Sequence, residues 1–226
     1  MKKFNFIIAV ILTSIFCSSC DWLEPEEDPS THIYHTAATL IHDPETGKEI
    51  FLADDGIKLI PTTALSIPDS LENTLLDQRY YITFQIETQT PQIYNINLLS
   101  MQIMSRESIT SISHNDTISE YKNEQLKINL LWTSGKYLNL ITQIQGSGSV
   151  AHNYHLLHNP NQNGDTLHLT MRYDSNNDKP TYSLQQALYY DLSELLTNQS
   201  DSTTICFHYN SGTPTFDTLY LKIANK

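Results

Sequence analysis

The sequence predicts an all-β protein built from a small barrel followed by an antiparallel β-sandwich. Tyr (13 residues) is frequent and Gly (7 of 226 residues) is scarce, a composition that favours strands. Between Arg79 and Glu87, apolar and polar residues alternate, which is typical of a strand with one buried face. Turn-forming residues interrupt the second half of the chain at short intervals, as in a sandwich of many short strands.

The first part of the chain contains five strand-like stretches. We expect the second and third to form a hairpin, because Asp54-Asp55-Gly56 between them can adopt the positive φ angles of a tight turn. The fifth is long enough to require a bulge or a bend. Five strands suit a barrel of the oligonucleotide/oligosaccharide-binding (OB) type, which we place at residues 32–105. The predicted strands are 33–41, 49–52, 57–62, 79–87 and 92–106.

The remainder of the chain, residues 106–226, is predicted to form the sandwich. Turn signals such as Ser134-Gly135 and Asn163-Gly164 separate its strands. The leucines between Leu184 and Leu196 also fit helical spacing, but we favour a strand over 187–192 followed by one helical turn. The other predicted strands are 125–132, 137–145, 151–158, 165–172, 206–210 and 218–223.

The N-terminus has the three parts of a secretory signal. Lys2 and Lys3 precede an apolar run over 6–16, which is shorter than the roughly 20 residues needed to span a bilayer. The next residues, Cys17-Ser18-Ser19-Cys20, are similar to a bacterial lipobox, in which small residues precede a cysteine that receives lipid. We therefore expect a signal peptide over 1–19 and a membrane anchor through lipid on Cys20, with an ordinary cleaved signal or a cytosolic chain with an apolar start as the alternatives.

Residues 20–31 are predicted to be an extended tether. Acids and prolines crowd the stretch from Asp21 to Pro29, so like charges repel and the prolines disfavour both helix and sheet. Acids clustered after a lipidated cysteine are also similar to the surface-export signal of Bacteroidota lipoproteins. We expect an outer-membrane lipoprotein displayed at the cell surface, with a periplasm-facing orientation as the alternative.

Charge and cysteine content exclude two further possibilities. Residues 1–19 carry two of the 13 bases and none of the 25 acids, which leaves 13 − 2 = 11 bases, a mature charge of 11 − 25 = −14. Such an acidic chain repels a phosphate backbone, so we expect no nucleic-acid partner. After cleavage, Cys206 is the one thiol that carries no lipid, so an intramolecular disulfide cannot form.

A family resemblance rests on short stretches that follow one another along the chain: Asp54–Pro61, Tyr94–Ser100, Trp132–Leu140, Leu167–Asp174, Tyr190–Leu195 and His208–Asn210. Together they resemble the NigD-like lipoproteins of Bacteroidota, over nearly the whole mature chain. The resemblance implies an N-terminal OB domain and a C-terminal β-sandwich. It implies no catalytic activity, and the family name, taken from a bacteriocin operon, suggests a role in immunity.

The sequence offers two candidate metal sites, and we interpret both as structural. On a strand, His152 and His158 share one face and His155 points to the other, so the three rings cannot converge, and no Cys lies near them. Residues 174–178 begin like a calcium loop but lack the Gly and the acid that such a loop needs further on. We therefore expect no metal, with a hairpin turn at 174–178.

We expect no enzyme activity and no cofactor. The sequence contains no nucleophile motif and no glycine-rich phosphate loop. Cys206, between Ile205 and Phe207, is interpreted as a small buried hydrophobic residue rather than a nucleophile. Asp54 and Asp55 are assigned to a solvated turn, an environment that does not favour a general acid.

Asp followed by Ser or Thr and then a small or aliphatic residue recurs along the chain. These triplets resemble the O-glycosylation acceptors of exported Bacteroidota proteins. The alternative is that Asp-Thr at a strand start is ordinary turn chemistry. The candidate acceptors are Ser70, Thr117, Thr166, Ser202 and Thr218.

These observations favour a non-enzymatic lipoprotein of the envelope or cell surface that binds a glycan, a peptide or another envelope protein. Bacteriocin immunity would be a special case of this role. A structural subunit of an outer-membrane assembly is the first alternative, which a contiguous exposed apolar patch would favour. A hydrolase is the second, and it would need a pocket that unites carboxylates from distant strands.

Overall fold

The protein folds as a closed five-stranded barrel followed by a β-sandwich, so the predicted all-β fold with an OB-like barrel is confirmed. The structure is a computed structural model and describes residues 32–63, 65, 75–113, 115–161, 166–196, 201–213 and 217–224. The barrel strands are β1 (Tyr34–Asp43), β2 (Lys48–Ala53), β3 (Lys58–Pro61), β4 (Arg79–Gln89) and β5 (Ile93–Ile103).

The barrel closes in the order β1-β2-β3-β5-β4, with β4 returning to pair with β1. The period-two pattern of β4 is confirmed, because its alternate residues Tyr80, Ile82, Phe84 and Ile86 all lie in the barrel core. The other buried core residues come from β1, β2, β3 and β5: Ala38, Leu40, Phe51, Ala53, Leu59 and Ile96.

The hairpin between β2 and β3 forms as predicted. The Gly56 N–H donates to the carbonyl of Ala53 over 2.9 Å, and the Ala53 N–H donates to the carbonyl of Ile57 over 3.0 Å. Gly56 alone in this turn has a positive φ, +89°, so the turn is a three-residue loop with a left-handed residue at its end.

The long fifth strand carries the expected irregularity and ends earlier than predicted. Its register against β4 shifts between Thr83 and Phe84, which marks a bulge. Met104 follows β5, and the next strand, β6 (Ser105–Glu107), pairs in parallel with a strand of the sandwich. The chain therefore passes from the barrel into the sandwich at Met104, and Arg106 is not part of the barrel strand.

The sandwich consists of two sheets. One has five strands in the order β14-β13-β11-β10-β7, and the other has four in the order β6-β12-β9-β8. A 3-10 helix, Asn115–Glu120, precedes β8. The strands after β6 are β7 (Ile109–Ser111), β8 (Lys127–Ser134), β9 (Tyr137–Gly146), β10 (Asn153–His158), β11 (Thr166–Asp174), β12 (Tyr182–Asp191), β13 (Ser202–Tyr209) and β14 (Asp217–Ala224).

Side chains from the inner faces of both sheets fill the sandwich core. Leu140 and Tyr190 come from the four-stranded sheet, and Leu156, Leu169 and Phe207 come from the five-stranded sheet. Because Cys206 forms no disulfide, this apolar burial is the main source of stability in the domain.

The leucine-rich segment near residue 190 is a strand followed by one turn, as predicted. Strand β12 ends at Asp191, and the N–H groups of Leu195 and Leu196 both donate to the carbonyl of Leu192. The hairpin predicted at 174–178 is wrong, since the turn joins β11 and β12, which belong to different sheets. Asn176 and Asn177 have positive φ angles there, which Asn tolerates better than most residues.

The barrel docks on the outer face of the four-stranded sheet. Ala37 and Met104 pack against Ile141 and Ala187 in a separate buried cluster. Aromatic rings surround it, with the Tyr81 and Trp132 centroids 5.8 Å apart. Within the described part of the chain, no helix has the length and apolar character to cross a membrane.

Candidate functional site

A buried ion pair lies where the barrel meets the sandwich. Arg79, at the start of β4, donates from Nη1 to Asp54 Oδ1 over 2.6 Å and from Nη2 to Asp54 Oδ2 over 2.8 Å. The two side chains are 3% and 8% exposed. The prediction that Asp54 is solvated is therefore wrong, because the sandwich covers the turn that carries it.

The sandwich supplies the remaining partners of this ion pair. The Ser134 hydroxyl donates to Asp54 Oδ2 over 2.5 Å, and Asn139 accepts from Arg79 Nη2 over 3.1 Å. The Tyr137 ring stacks on the guanidinium, with its centroid 3.8 Å from Cζ. Burial of an ion pair requires this degree of compensation, since both charges lose their water.

Gly135 allows the two turns to approach one another. Its φ is +53°, and a Cβ at this position would lie 3.2 Å from Asp54 Cβ. A larger residue would therefore be strained and would push the β8–β9 turn away from the β2–β3 turn. The residues that predict turns at Asp54-Asp55-Gly56 and Ser134-Gly135 therefore also form the two sides of the domain junction.

An open groove of about 880 Å³ lies above the ion pair, between the two domains. The turns at Asp55 and Gly135 form part of its wall, and the end of β14 forms another part. Most of the lining residues are polar. They are Thr36, Ala53, Asp54, Asp55, Thr133, Ser134, Gly135, Lys136, Ser193, Leu196, Lys222, Ile223 and Ala224.

Asp191 contacts the groove residues Lys136 and Ser193, and these contacts favour its ionised form. Lys136 Nζ lies 3.1 Å from Asp191 Oδ2, and the Ser193 hydroxyl and N–H both donate to Asp191 Oδ1. Desolvation raises the pKa of Asp191, but the hydrogen bonds from Ser193 and the cation of Lys136 outweigh it, so the net shift is downward. At the base of the groove, Asp54 pairs with Arg79.

The predicted modification sites are only partly within the described residues. Cys20 and Ser70 lie outside them, and the side chain of Thr117 is not described. Thr166, Ser202 and Thr218 each lie at the first or second residue of a strand. Lipidation of Cys20 and glycosylation of the five acceptors remain predictions.

The three histidines near residue 155 lie in separate surroundings. His152 is buried and contacts Asp178 Oδ2 at 3.2 Å and the Tyr173 hydroxyl at 2.6 Å. The ring of His155 packs edge-on against Tyr121, with centroids 4.9 Å apart. Burial lowers the pKa of His158.

A different cluster, which sequence reasoning missed, brings His168, Cys206 and His208 together. One donor atom from each side chain lies within 4.8 Å of the others. Cys206 and His208 alternate on β13 and so share a face, and this spacing is visible in the sequence. The parallel pairing that sets His168 opposite Cys206 joins strands 38 positions apart and cannot be inferred from spacing.

The barrel, the sandwich and the groove between them define a class of protein: a two-domain, all-β protein with a preformed interdomain cleft. Residues 108–222 match the model of the NigD-like C-terminal β-sandwich domain, which is half of the chain. The chain belongs to the NigD-like family.

Solved structures of similar proteins have the same two-domain fold. A protein of unknown function from Bacteroides vulgatus is 17% identical, with a TM-score of 0.64 over 84% of this chain and 90% of that one. A NigD-like immunity protein from Bacteroides caccae is 16% identical, with a TM-score of 0.58 over 88% and 99%. A protein named as a lipoprotein, from Bacteroides fragilis, is 16% identical, with a TM-score of 0.56 over 86% and 99%.

At these identities the likeness shows the fold alone. Among curated proteins, no match to the chain is found.

Proposed function

We propose that this chain is a non-enzymatic lipoprotein of the cell envelope that binds a protein partner in the groove between its two domains. The observation that carries the proposal is the buried Arg79–Asp54 network beneath the groove, which holds both walls in a fixed relation. A groove with fixed walls binds without the entropic cost of ordering them.

The chemistry of the groove favours a polypeptide over a small molecule or a sugar. Pockets for small ligands are mostly apolar and rich in aromatic residues. Here no residue of the described lining is aromatic. One wall is the end of β14, an edge strand of its sheet, and an extended segment can pair with such an edge.

Charge favours a basic partner. With residues 1–19 removed, the chain carries 11 bases and 25 acids. An acidic protein attracts cationic partners over distances of about 10 Å at moderate salt, which raises the rate of association. Binding should therefore slow as salt concentration rises.

The state of the carboxylates supports binding rather than hydrolysis. A general acid must carry a proton at working pH, which requires a raised pKa. Beside the groove, the hydrogen bonds from Ser193 and the cation of Lys136 give Asp191 a lowered pKa, so it is a poor proton donor. Asp54 pairs with Arg79 and helps to hold the junction together.

The proposed anchor and role agree with the names of similar structures. One similar protein is named as a lipoprotein and another as a NigD-like immunity protein. We propose that lipid on Cys20 attaches the chain to the outer membrane and displays it at the cell surface, and that the bound partner is a bacteriocin-type protein toxin. The groove would then sequester the toxin before it reaches its target.

Photo-cross-linking in intact cells tests the groove directly. A cross-linking amino acid replaces either Lys222, in the groove, or Lys179, an exposed lysine outside its lining. We expect a specific protein adduct from position 222 and none from position 179. Equal labelling at both positions, or transfer to glycan alone, would contradict a protein-binding groove.

A survival assay tests the immunity role. A strain lacking this chain is challenged with secreted protein from its parent, with protease-treated material as the control. Wild type and Lys179→Trp should restore survival, whereas Ala224→Trp, which obstructs the groove with a bulky side chain, and Cys20→Ala should not. If the deletion strain survives as well as its parent, the immunity role is wrong.

A second candidate, a structural subunit, is favoured by an exposed apolar stripe on β5. Leu99, Met101 and Ile103 are 46%, 43% and 51% exposed. Met101 and Ile103 are two residues apart on β5 and so project from the same face of the strand. If the chain belongs to an envelope assembly, Met101→Glu should release it from that assembly on native gels, while Lys222→Glu should not.

A further inference from the structure

The outer face of the five-stranded sheet carries a cluster of three side chains suited to metal binding. His168 on β11 lies directly opposite Cys206 on the neighbouring strand β13. His208 follows two residues after Cys206, so all three side chains project from the same face. Each ligand atom of the cluster lies within 4.8 Å of the other two.

The distances approach those of a tetrahedral zinc site. With Zn–S of about 2.3 Å and Zn–N of about 2.0 Å, the S and N atoms of such a site are separated by roughly 3.5 Å. Cys206 Sγ and His208 Nε2 are already 3.3 Å apart. Side-chain rotations of His168 would bring the third donor within range, since its backbone is fixed by the β11–β13 pairing.

His208 is oriented by a second contact. Its Nδ1 lies 3.0 Å from the hydroxyl of Thr218, on the neighbouring strand β14. Metal-binding histidines usually direct their other nitrogen to an oxygen partner, which fixes the ring and its tautomer. The Thr218 contact therefore leaves Nε2 directed at the thiol as an available donor.

The thiol itself is sheltered. Cys206 is 3% exposed and lies in register with Tyr220 on β14, while the imidazoles of His168 and His208 stack with their centroids 5.9 Å apart. A buried thiol between two imidazoles, on strands of one sheet, forms a donor set of one sulfur and two nitrogens. Such a set matches Zn²⁺, which favours thiolate and imidazole ligands.

We propose that His168, Cys206 and His208 bind one Zn²⁺ ion, with the fourth coordination position left to water or to a donor from a bound partner. Binding converts the Cys206 thiol to a thiolate, forms the Zn–S bond and releases one proton to solvent, with no change in oxidation state. This site lies apart from the interdomain groove and does not depend on the function proposed for it.

Cobalt titration of the chain from residue 20 onward tests the proposal. The protein carries Cys20→Ala and is kept reduced, so that Cys206 is its single thiol. We expect one Co²⁺ per chain, with a near-ultraviolet thiolate-to-metal charge-transfer band and the strong visible bands of four-coordinate cobalt. Zn²⁺ should abolish these bands and raise the thermal midpoint, because it binds the folded state.

Variants separate ligation from folding. Cys206→Ser should remove the charge-transfer band. His208→Gln removes a ligand and should weaken Zn²⁺ binding at least about 100-fold, which is more than the effect of losing a residue that only orients a ligand. Thr218→Val keeps all three donors and should weaken binding about 10-fold. The control, His42→Gln, removes an exposed barrel histidine paired with Glu49 and should bind Zn²⁺ as wild type does.

Two results would overturn the proposal. One is the absence of a charge-transfer band from the folded Cys20→Ala protein at saturating Co²⁺. This test needs no variant beyond Cys20→Ala. The other is Zn²⁺ affinity in folded Cys206→Ser equal to that of the parent.

Discussion

At the residue scale, the pair formed by His152 and Asp178 shows how a turn that begins like a calcium loop serves the fold instead. Both side chains are 2% exposed. Asp178 Oδ2 accepts from the Ser147 N–H over 2.7 Å and contacts His152 Nε2 at 3.2 Å. These contacts tie the β11–β12 turn to the β9–β10 loop, so the carboxylate acts as a structural acceptor.

The same contacts predict a pH dependence of stability. Hydrogen bonds from Ser147 and from His152 lower the pKa of Asp178 from its ordinary 3.8 to about 2. Because the folded pKa is below the unfolded one, this stabilisation is present above about pH 4 and is lost as the pH falls towards 2. Asp178→Asn should therefore lower the free energy of unfolding at pH 7 and flatten its decline between about pH 4 and 2, as measured by urea unfolding at a series of pH values.

Asp201→Asn, at an exposed position, is the matched control and should leave the acid limb as in wild type. An unchanged acid limb in Asp178→Asn would show that this carboxylate does not contribute to acid unfolding.

At the scale of secondary-structure elements, the β2–β3 hairpin depends on the backbone of Gly56. A Cβ at this position would have no atom within 4 Å, so substitution introduces no clash, but its φ of +89° is unfavourable for other residues. Gly56→Ala should lower the free energy of unfolding by about 1–2 kcal/mol. Gly56→Asn should cost less, because Asn tolerates positive φ better. Urea unfolding of both variants measures the loss in the free energy of unfolding relative to wild type. Equal losses for Gly56→Ala and Gly56→Asn would mean that the backbone of the turn changes conformation to suit the new residue.

Elements with a strong local pattern were predictable from the sequence, and elements defined by distant partners were not. Strand β4 alternates over its whole length, and Asp55-Gly56 carries its own turn chemistry, so both were found. Strands β6 and β7 have three residues each, too few for a periodic signal, and each exists through parallel pairing with a remote strand. The sequence predicts a hairpin at 174–178 because local residues do not reveal which sheet the next strand joins.

The candidate sites show the same limit. Arg79 and Asp54 are 25 residues apart and meet Asn139 from the other domain, so neither residue type nor spacing reveals their contact. A carboxylate in a turn is ordinarily solvated, and only the covering β8–β9 turn makes Asp54 buried. In the metal cluster, the Cys206–His208 spacing was visible, but His168 required the strand order of the sheet.

At the scale of the whole molecule, three of the six segments that carry the family resemblance meet at the domain junction. Asp54 comes from the first, Ser134 and Asn139 from the Trp132–Leu140 segment, and Asp191 from Tyr190–Leu195, where it pairs with Lys136. The Leu192 N–H also donates to the Lys136 carbonyl over 2.9 Å. These three segments therefore fix the two β domains to one another, which is the property that the proposed binding groove requires.

This arrangement predicts that one substitution at the junction should uncouple the domains. Arg79→Ala leaves Asp54 buried without its cation, which should lower the free energy of unfolding by about 3–5 kcal/mol. The apolar contacts of Met104 with Ile141 remain but lack the directional bonds that orient the barrel. We expect wild type to unfold in one calorimetric transition and Arg79→Ala in two, with loss of cross-linking from Lys222.

Lys122→Ala, which removes an exposed ion pair with Asp174, should cost less than about 1 kcal/mol and keep one transition. A single transition in Arg79→Ala with near-wild-type stability would mean that the apolar contacts alone fix the domains, and the groove would then owe its shape to them.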